Sequence, residues 1–334
     1  MIDLADERLI VSHAQMTMAR GAIRGRLHYT PMATSAYLSD RIGTSLHLKL
    51  ELFQKTGSFK PRGVLNRLAN LTDEERRRGL ITLSAGNHAQ AVAWAARVVG
   101  VPATVVMPAD APRSKTDAVR GYGATIVAHA DRATLFDRLR EEEARTGATF
   151  VHPFDDPVGL AGAGTVGLEI VEQVPDVECV IVPIGGGGLM AGVACAVKAL
   201  VPRCRVVGVE LEAGPGMTPS LAAGKAVPVS RPAGTIADGL TPPFVGAIPL
   251  EVARDVLDEV VLVTEEEIRE AMRALLVRAK LYVEGSGAAA TAALLAGRVK
   301  LPAGTRVVSI VSGGNVDPER VLALVAPGAA ETRA

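Results

Sequence analysis

The stretch Val182-Pro183-Ile184-Gly185-Gly186-Gly187-Gly188-Leu189-Met190 decides how this chain is read. An uncharged run from Cys179 enters four consecutive glycines, and an Ala- and Val-rich segment follows as far as Leu200. Strand, tight loop and helix in that order leave backbone N–H groups free at a helix start, where they can converge on one oxyanion. Four adjacent glycines cost chain entropy, so close approach of a phosphate explains them better than architecture alone. No Lys-Ser/Thr pair follows, which counts against a nucleoside-triphosphate loop. The uncharged run to Val197, with a GxxxG at Gly188 and Gly192, approaches the roughly 18–20 residues of a membrane span. Pro183 and the glycines inside it exclude that reading. A rival occupies the same segment: Gly186, Gly188 and Ala191 fit GxGxxA, and Glu210 closes the next strand about twenty residues on, as a ribose-binding carboxylate does. Taken alone, the segment describes an NAD-dependent oxidoreductase.

Outward from this unit the same alternation continues. Apolar runs at 46–50, 80–83, 103–107, 124–128, 177–184, 205–210, 260–263 and 306–311 read as strands. They are rich in Val and Ile without polar alternation, as where helices cover both faces of a parallel sheet. Helical patterns fall at 60–70, 88–99, 112–121, 132–146, 164–174, 188–200, 265–279, 286–297 and 317–325, which makes an α/β fold. The Gly-, Pro- and Ala-rich stretch 212–250 lacks periodicity and reads as a long connection near a site.

With 334 residues the chain can bury a substantial core. Lys+Arg and Asp+Glu both total 36, so no long-range field draws in nucleic acid or an anionic membrane. Arg76, Arg77 and Arg78, following Glu74 and Glu75, read as a solvated helix end. Cys179, Cys195 and Cys204 form no CxxC or ligand spacing, and a reducing compartment with unpaired thiols is the simplest account. Met1-Ile2-Asp3-Leu4-Ala5-Asp6-Glu7 lacks the basic start and apolar core of a signal peptide. A cytoplasmic location is expected.

Two further segments carry chemistry. In Lys55-Thr56-Gly57-Ser58-Phe59-Lys60-Pro61-Arg62-Gly63, Pro61 suits the first turn of a helix and pushes Lys60 toward an extended conformation. The positive end of the helix dipole would then lower the Lys60 pKa, as a Schiff-base lysine requires. Val308-Ser309-Ile310-Val311-Ser312-Gly313-Gly314-Asn315 puts a hydroxyl and two glycines at the carboxyl end of a buried strand, where open α/β sheets bind ligands.

Ser58-Phe59-Lys60-Pro61-Arg62-Gly63, Ser84-Ala85-Gly86-Asn87-His88-Ala89-Gln90, the glycines 185–188 and Ser312-Gly313-Gly314-Asn315 resemble the threonine/serine dehydratase and serine racemase group of pyridoxal 5'-phosphate (PLP) enzymes. These have the tryptophan-synthase-β-like fold. Ala161-Gly162-Ala163-Gly164-Thr165-Val166-Gly167-Leu168-Glu169 and Ala237-Asp238-Gly239 extend the match over almost the whole chain. Four motifs in order outweigh the dinucleotide reading. The resemblance implies two domains, each an open, mostly parallel twisted sheet flanked by helices. Residues 1–50 plus 153–330 would form the large cofactor-binding domain, and 51–152 a small one carrying the Asn87 loop. Lys60 would hold PLP as a Schiff base and take the Cα proton. Phe59 would pack beside the ring and Asn87 would meet its phenolic oxygen. Gly185, Gly186, Gly187, Gly188 and Leu189 would cup the phosphate, and Ser312 would meet the ring nitrogen. Ser84, Ala85, Gly86, Asn87 and His88 would form the loop around the substrate carboxylate. The implied reaction removes water from L-threonine or L-serine and gives a 2-oxo acid and ammonia. A homodimer or homotetramer is expected.

Three departures narrow this. Serine racemases of eukaryotes carry a serine two residues before the motif asparagine; Ala85 cannot move a proton there, so racemisation should be poor. Some relatives bind a divalent cation near Glu210, but Gly214 and Gly216 bring no carboxylate and only Glu212 lies close, which leaves a metal in doubt. Glu284 is placed near the ring by the resemblance, while Glu284-Gly285-Ser286-Gly287 also reads as a helix cap. The substrate stays open between threonine, serine, 3-hydroxyaspartate and a larger hydroxy amino acid such as a hydroxyectoine breakdown product.

Overall fold

The computed structural model describes residues 9–111 and 113–325. The reading of Met1–Glu7 and the start of a helix at 112 lie outside the described residues. Among the described residues ten strands run in chain order: β1 (Met32–Thr34), β2 (Ser45–Leu50), β3 (Leu80–Leu83), β4 (Ala103–Pro108), β5 (Thr125–His129), β6 (Thr149–Phe150), β7 (Cys179–Pro183), β8 (Arg205–Leu211), β9 (Glu259–Val263) and β10 (Arg306–Val311). They form a six-stranded sheet of order β1-β2-β10-β7-β8-β9 and a four-stranded sheet of order β5-β4-β3-β6. Every pairing is parallel except β1 with β2. Helices flank both sheets. This is the α/β fold expected.

The unbroken apolar strands are explained by a covered sheet. Val180, Val182, Val206, Val308 and Ile310 pack with Val193, Ala194 and Val197 of helix Gly188–Leu200. The alternate residues Cys179, Ile181, Val207, Val209, Val307 and Val311 pack with Ala288, Ala289, Ala292 and Ala293 of helix Gly285–Leu295. Period-two alternation therefore sends side chains into two cores, and neither face meets water.

Several expectations are corrected. Helix Pro157–Gln173 begins seven residues before the expected 164. Asp156 caps it by accepting from Val158 N–H at 3.1 Å, and Pro157 occupies its first turn. Its glycines are packing sites: a Cβ on Gly162 would collide with the Arg62 carbonyl, and one on Gly192 of the facing helix would lie 2.5 Å from Gly164 N. The stretch 212–250 is not structureless, for it contains helix Met217–Ala223 and the start of helix Ala247–Val256. Helices His13–Ile23 and Ala36–Ile42 were not anticipated. No helix among the described residues is long and apolar enough to cross a membrane.

Candidate active site

The loop carrying Lys60 is held by the loop that follows β10. Phe59 N–H donates to the Ser312 carbonyl at 3.1 Å, Gly314 N–H to the Gly57 carbonyl at 2.9 Å, and Ser58 bridges Gly313. This short ribbon explains the glycines around it. Gly57 has φ +71°, and a Cβ there would strike the Asn315 side chain; a Cβ on Gly313 would strike the Glu284 carboxylate. Thr56 stands at φ 60° and ψ 16°, a left-handed conformation costly for a β-branched residue. Its carbonyl accepts from Asn315 Nδ2 at 2.7 Å, which helps hold it there.

Lys60 departs from the extended conformation expected before a proline. It has φ −52° and ψ −38°, because its carbonyl already accepts from Val64 N–H at 3.3 Å and so opens the helical turn. Its Nζ donates to the Pro153 carbonyl at 2.8 Å and lies 5.0 Å from the centre of the Phe59 ring. Burial pulls its pKa from 10.5 to about 8. Desolvation is the cause. At pH 7 about one amine in ten is neutral, some three-hundred-fold more than for a free lysine.

Beyond Lys60, helix Pro61–Ala69 is anchored by a cluster of four charges. The Arg62 guanidinium donates to both Glu51 oxygens at 2.8 Å and to Glu169 at 2.7 and 2.9 Å. Lys49 Nζ donates to Glu169 at 2.6 Å and to the Thr30 carbonyl at 2.9 Å. Two cations balance two anions, and three of the four side chains are 0% exposed.

The tetraglycine loop has its own crowding. A Cβ on Gly185 would collide with the Gly239 carbonyl and one on Gly186 with the Phe154 ring, while Gly187 has φ +93° and Pro249 at 2.6 Å from such an atom. Helix Gly188–Leu200 starts directly afterwards with no side-chain cap, so its first N–H groups have no intrahelical acceptor. Phe154 belongs to the segment whose Pro153 carbonyl receives Lys60. Phe59, Lys60, His88, Phe154 and Gly188 line one small cavity, which brings the glycine loop and the lysine together.

The Asn87 loop follows β3. Gly86 N–H donates to Ser84 Oγ at 3.1 Å, and helix Asn87–Val99 begins without a side-chain cap. Asn87 Nδ2 donates to Glu284 Oε1 at 2.7 Å, and Asn87 Oδ1 accepts from Asn315 Nδ2 at 2.8 Å. The His88 imidazole is turned inward: Nε2 lies 3.0 Å from the Val151 carbonyl and therefore carries the proton. Burial drives its pKa down to about 3, so it stays neutral. Ala85 packs against the apolar cluster of this unit.

Glu284 is the N-cap residue of helix Gly285–Leu295, its carbonyl accepting from Gly287 and Ala288 N–H at 3.0 and 3.1 Å, while its side chain makes no cap bond and turns to other partners. Burial, reinforced by Asp238, raises its pKa to about 7. Glu210 is occupied structurally. Its Oε1 accepts from Gly216 and Met217 N–H at 2.7 and 2.5 Å, and its Oε2 from Thr218 N–H and Oγ1 at 2.9 and 2.7 Å. Those four bonds leave it poorly suited to a ribose or a metal ion. No cluster of three or more metal-binding side chains exists among the described residues.

Pyridoxal phosphate fits these residues on two observations. Among the described residues few buried side-chain atoms lack a hydrogen-bond partner, and three of them, Thr56 Oγ1, Ser58 Oγ and His88 Nδ1, belong to the segments that carry Lys60 and Asn87. The glycine loop presents backbone without side chains beside a partly neutral amine. Sequence reasoning missed Pro153, Phe154, Lys49 and Glu51. Only the spacing His152-Pro153-Phe154 ahead of the motif helix hinted at the first two.

Comparison with known proteins agrees. The model of a family described as pyridoxal-phosphate dependent enzyme matches residues 23–313. The chain is 45% identical over 316 residues to the L-threonine ammonia-lyase of Thermotoga maritima, covering 93% of this chain and 77% of that protein. The structure of maize serine racemase aligns with a TM-score of 0.89 at 38% identity, covering 94% of this chain and 96% of that one. The processed form of threonine deaminase isoform 2 from Solanum lycopersicum aligns with a TM-score of 0.85 at 33% identity, covering 96% of each chain.

Proposed function

The chain belongs to the family of pyridoxal-phosphate-dependent enzymes, and we propose that it is an ammonia-lyase removing water from L-threonine, L-serine or both. The cofactor, when bound, supplies an electron sink for the pair left when Cα loses its proton. The nicotinamide reading is overturned by the family match.

The observation carrying the proposal is a buried amine whose pKa has fallen to about 8 beside a glycine-only helix start. Lys60 would hold the cofactor, and its amine, with a pKa near the working pH, would serve as the general base for the Cα proton. The N–H groups of Gly185–Leu189 take the phosphate at the positive helix end. Phe59 would pack on the ring, Asn87 would meet the phenolic oxygen and Ser312 the ring nitrogen, where a neutral hydroxyl would not enforce ring protonation. The loop Ser84, Ala85, Gly86, Asn87, His88 would receive the substrate carboxylate through backbone N–H groups, since the neutral His88 ring has one N–H and the Val151 carbonyl already takes it. The hydroxyl leaves as water, and the released enamine hydrolyses to 2-oxobutanoate from threonine, or pyruvate from serine, with ammonia.

Racemisation is the second reading, favoured by the likeness to maize serine racemase. Ala85 argues against it, because a second acid/base on the opposite face is missing there. We take residues 51–152 as the unit carrying the substrate loop, and a cytoplasmic homodimer or homotetramer as the working state. The test is a 2-oxo-acid release assay over a panel of hydroxy amino acids, with the chirality of residual serine followed in parallel. Release of 2-oxobutanoate from threonine is expected. D-serine forming as fast as pyruvate would refute the lyase reading.

A further inference from the structure

Asn87, read above as the partner of the cofactor's phenolic oxygen, sits in a chain of side chains whose donor and acceptor roles are all determined. Asn315 Nδ2 has two hydrogens and spends both, one on the Thr56 carbonyl at 2.7 Å and one on Asn87 Oδ1 at 2.8 Å. Asn87 must therefore turn its oxygen toward Asn315; a flipped amide would set NH2 against NH2. On its other side Asn87 Nδ2 donates to Glu284 Oε1 at 2.7 Å. One Nδ2 hydrogen remains for the cofactor. The members come from distant parts of the chain: Asn87 follows β3 of the four-stranded sheet, whereas Asn315 follows β10 of the six-stranded one.

We propose that Glu284 is a positioning residue, which acts through Asn87 by clamping its amide so that an N–H, not a carbonyl, faces the phenolic oxygen of pyridoxal phosphate. The proposal rests on the functional reading above. Glu284 is 9% exposed, and a carboxyl buried without a cation of its own is costly unless hydrogen bonds repay it. The Asn87 and Asn315 N–H groups supply those bonds. The charged groups nearest it are Asp238, which opposes ionisation, and Lys115, which pairs with Asp238 at 2.8 Å and favours it. The same geometry requires Gly313, where any Cβ would enter the Glu284 carboxylate.

A double-mutant cycle tests this in the holoenzyme, with Glu284→Gln and Asn87→Ala made singly and together. The readouts are the dissociation constant of pyridoxal phosphate and the pH dependence of the bound chromophore. Each single change should weaken cofactor binding by about two- to tenfold, Asn87→Ala by removing the hydrogen bond to the cofactor and Glu284→Gln by replacing the charged acceptor of Asn87 Nδ2 with a weaker neutral one. Adding Glu284→Gln to Asn87→Ala should change nothing further, because a residue acting through another has no effect once that other is gone. If ionisation of Glu284, whose pKa burial raises to about 7, reaches the chromophore through Asn87, the parent shows a spectral transition near that pH and Glu284→Gln lacks it. Glu284→Asp keeps the charge but falls short of Asn87 and should share the binding defect. Effects of the two single changes that multiply, or a normal Glu284→Asp variant, would overturn the inference while leaving the lyase reading intact. Protein that forms no chromophore in any version overturns the lyase reading, and this one with it.

Discussion

Replacing Glu51 with glutamine removes one negative charge from a cluster closed to water. Both Glu51 oxygens accept from Arg62 at 2.8 Å, and Thr30 Oγ1 donates to Oε1 at 2.5 Å. The Glu51 and Arg62 side chains are 0% exposed. Glutamine keeps the volume, so no cavity term enters. Its carbonyl can still take one guanidinium N–H, but its NH2 must face the other. The cluster passes from neutral to a net charge of one, buried. Breaking a buried pair this way costs about 3–5 kcal/mol, a large part of the roughly 5–15 kcal/mol that holds a protein folded. Urea unfolding of the holoenzyme at fixed cofactor concentration measures it. Glu172→Gln is the control, since that carboxylate pairs with Arg20 while 44% exposed and should lose less than about 1 kcal/mol. Arg62 is two residues from Lys60, so Glu51→Gln should also retain cofactor less well on dialysis. Equal, small losses for the two variants would refute the claim that the cluster anchors the helix after Lys60.

The Lys60 amine should make capture of pyridoxal phosphate by apoenzyme accelerate about tenfold per pH unit and level off near pH 8, as its lowered pKa requires; stopped-flow absorbance would expose a plateau near 10.5 instead. The sign for stability follows: between about 8 and 10.5 the unfolded lysine binds the proton and the folded one does not, so apoenzyme stability from this group rises with pH in that window. Gly186→Ala should lower cofactor affinity at least about tenfold, through collision with Phe154, and Phe154→Ala in the same chain should restore part of it; equilibrium dialysis decides. Ala85→Ser should add D-serine to the products from L-serine, measured by chiral chromatography, whereas unchanged products would show that the loop position does not govern racemisation.

Much of this was legible because its signals are local. Cys179–Pro183 reads as a covered strand from its own apolar run, and all five residues are buried. Glycines at 185–188 and 313–314 announce backbone that must be approached closely. What escaped depends on partners far along the chain. Nothing around Lys49 says that its ammonium reaches Glu169, and nothing in Asn315 says that it holds Thr56, 259 residues away. β1 and β6 have three and two residues, too short for a periodicity to appear. Helix Ala247–Val256 was hidden by Pro249 inside its first turn, a place where proline is tolerated rather than disruptive.

The most direct measurement is borohydride reduction of the purified protein, followed by peptide mass spectrometry. One pyridoxyl group, carried by Lys60, is expected, with its loss in Lys60→Ala. A label on Lys55, Lys115 or any other lysine, or a colourless protein that takes none, would contradict it.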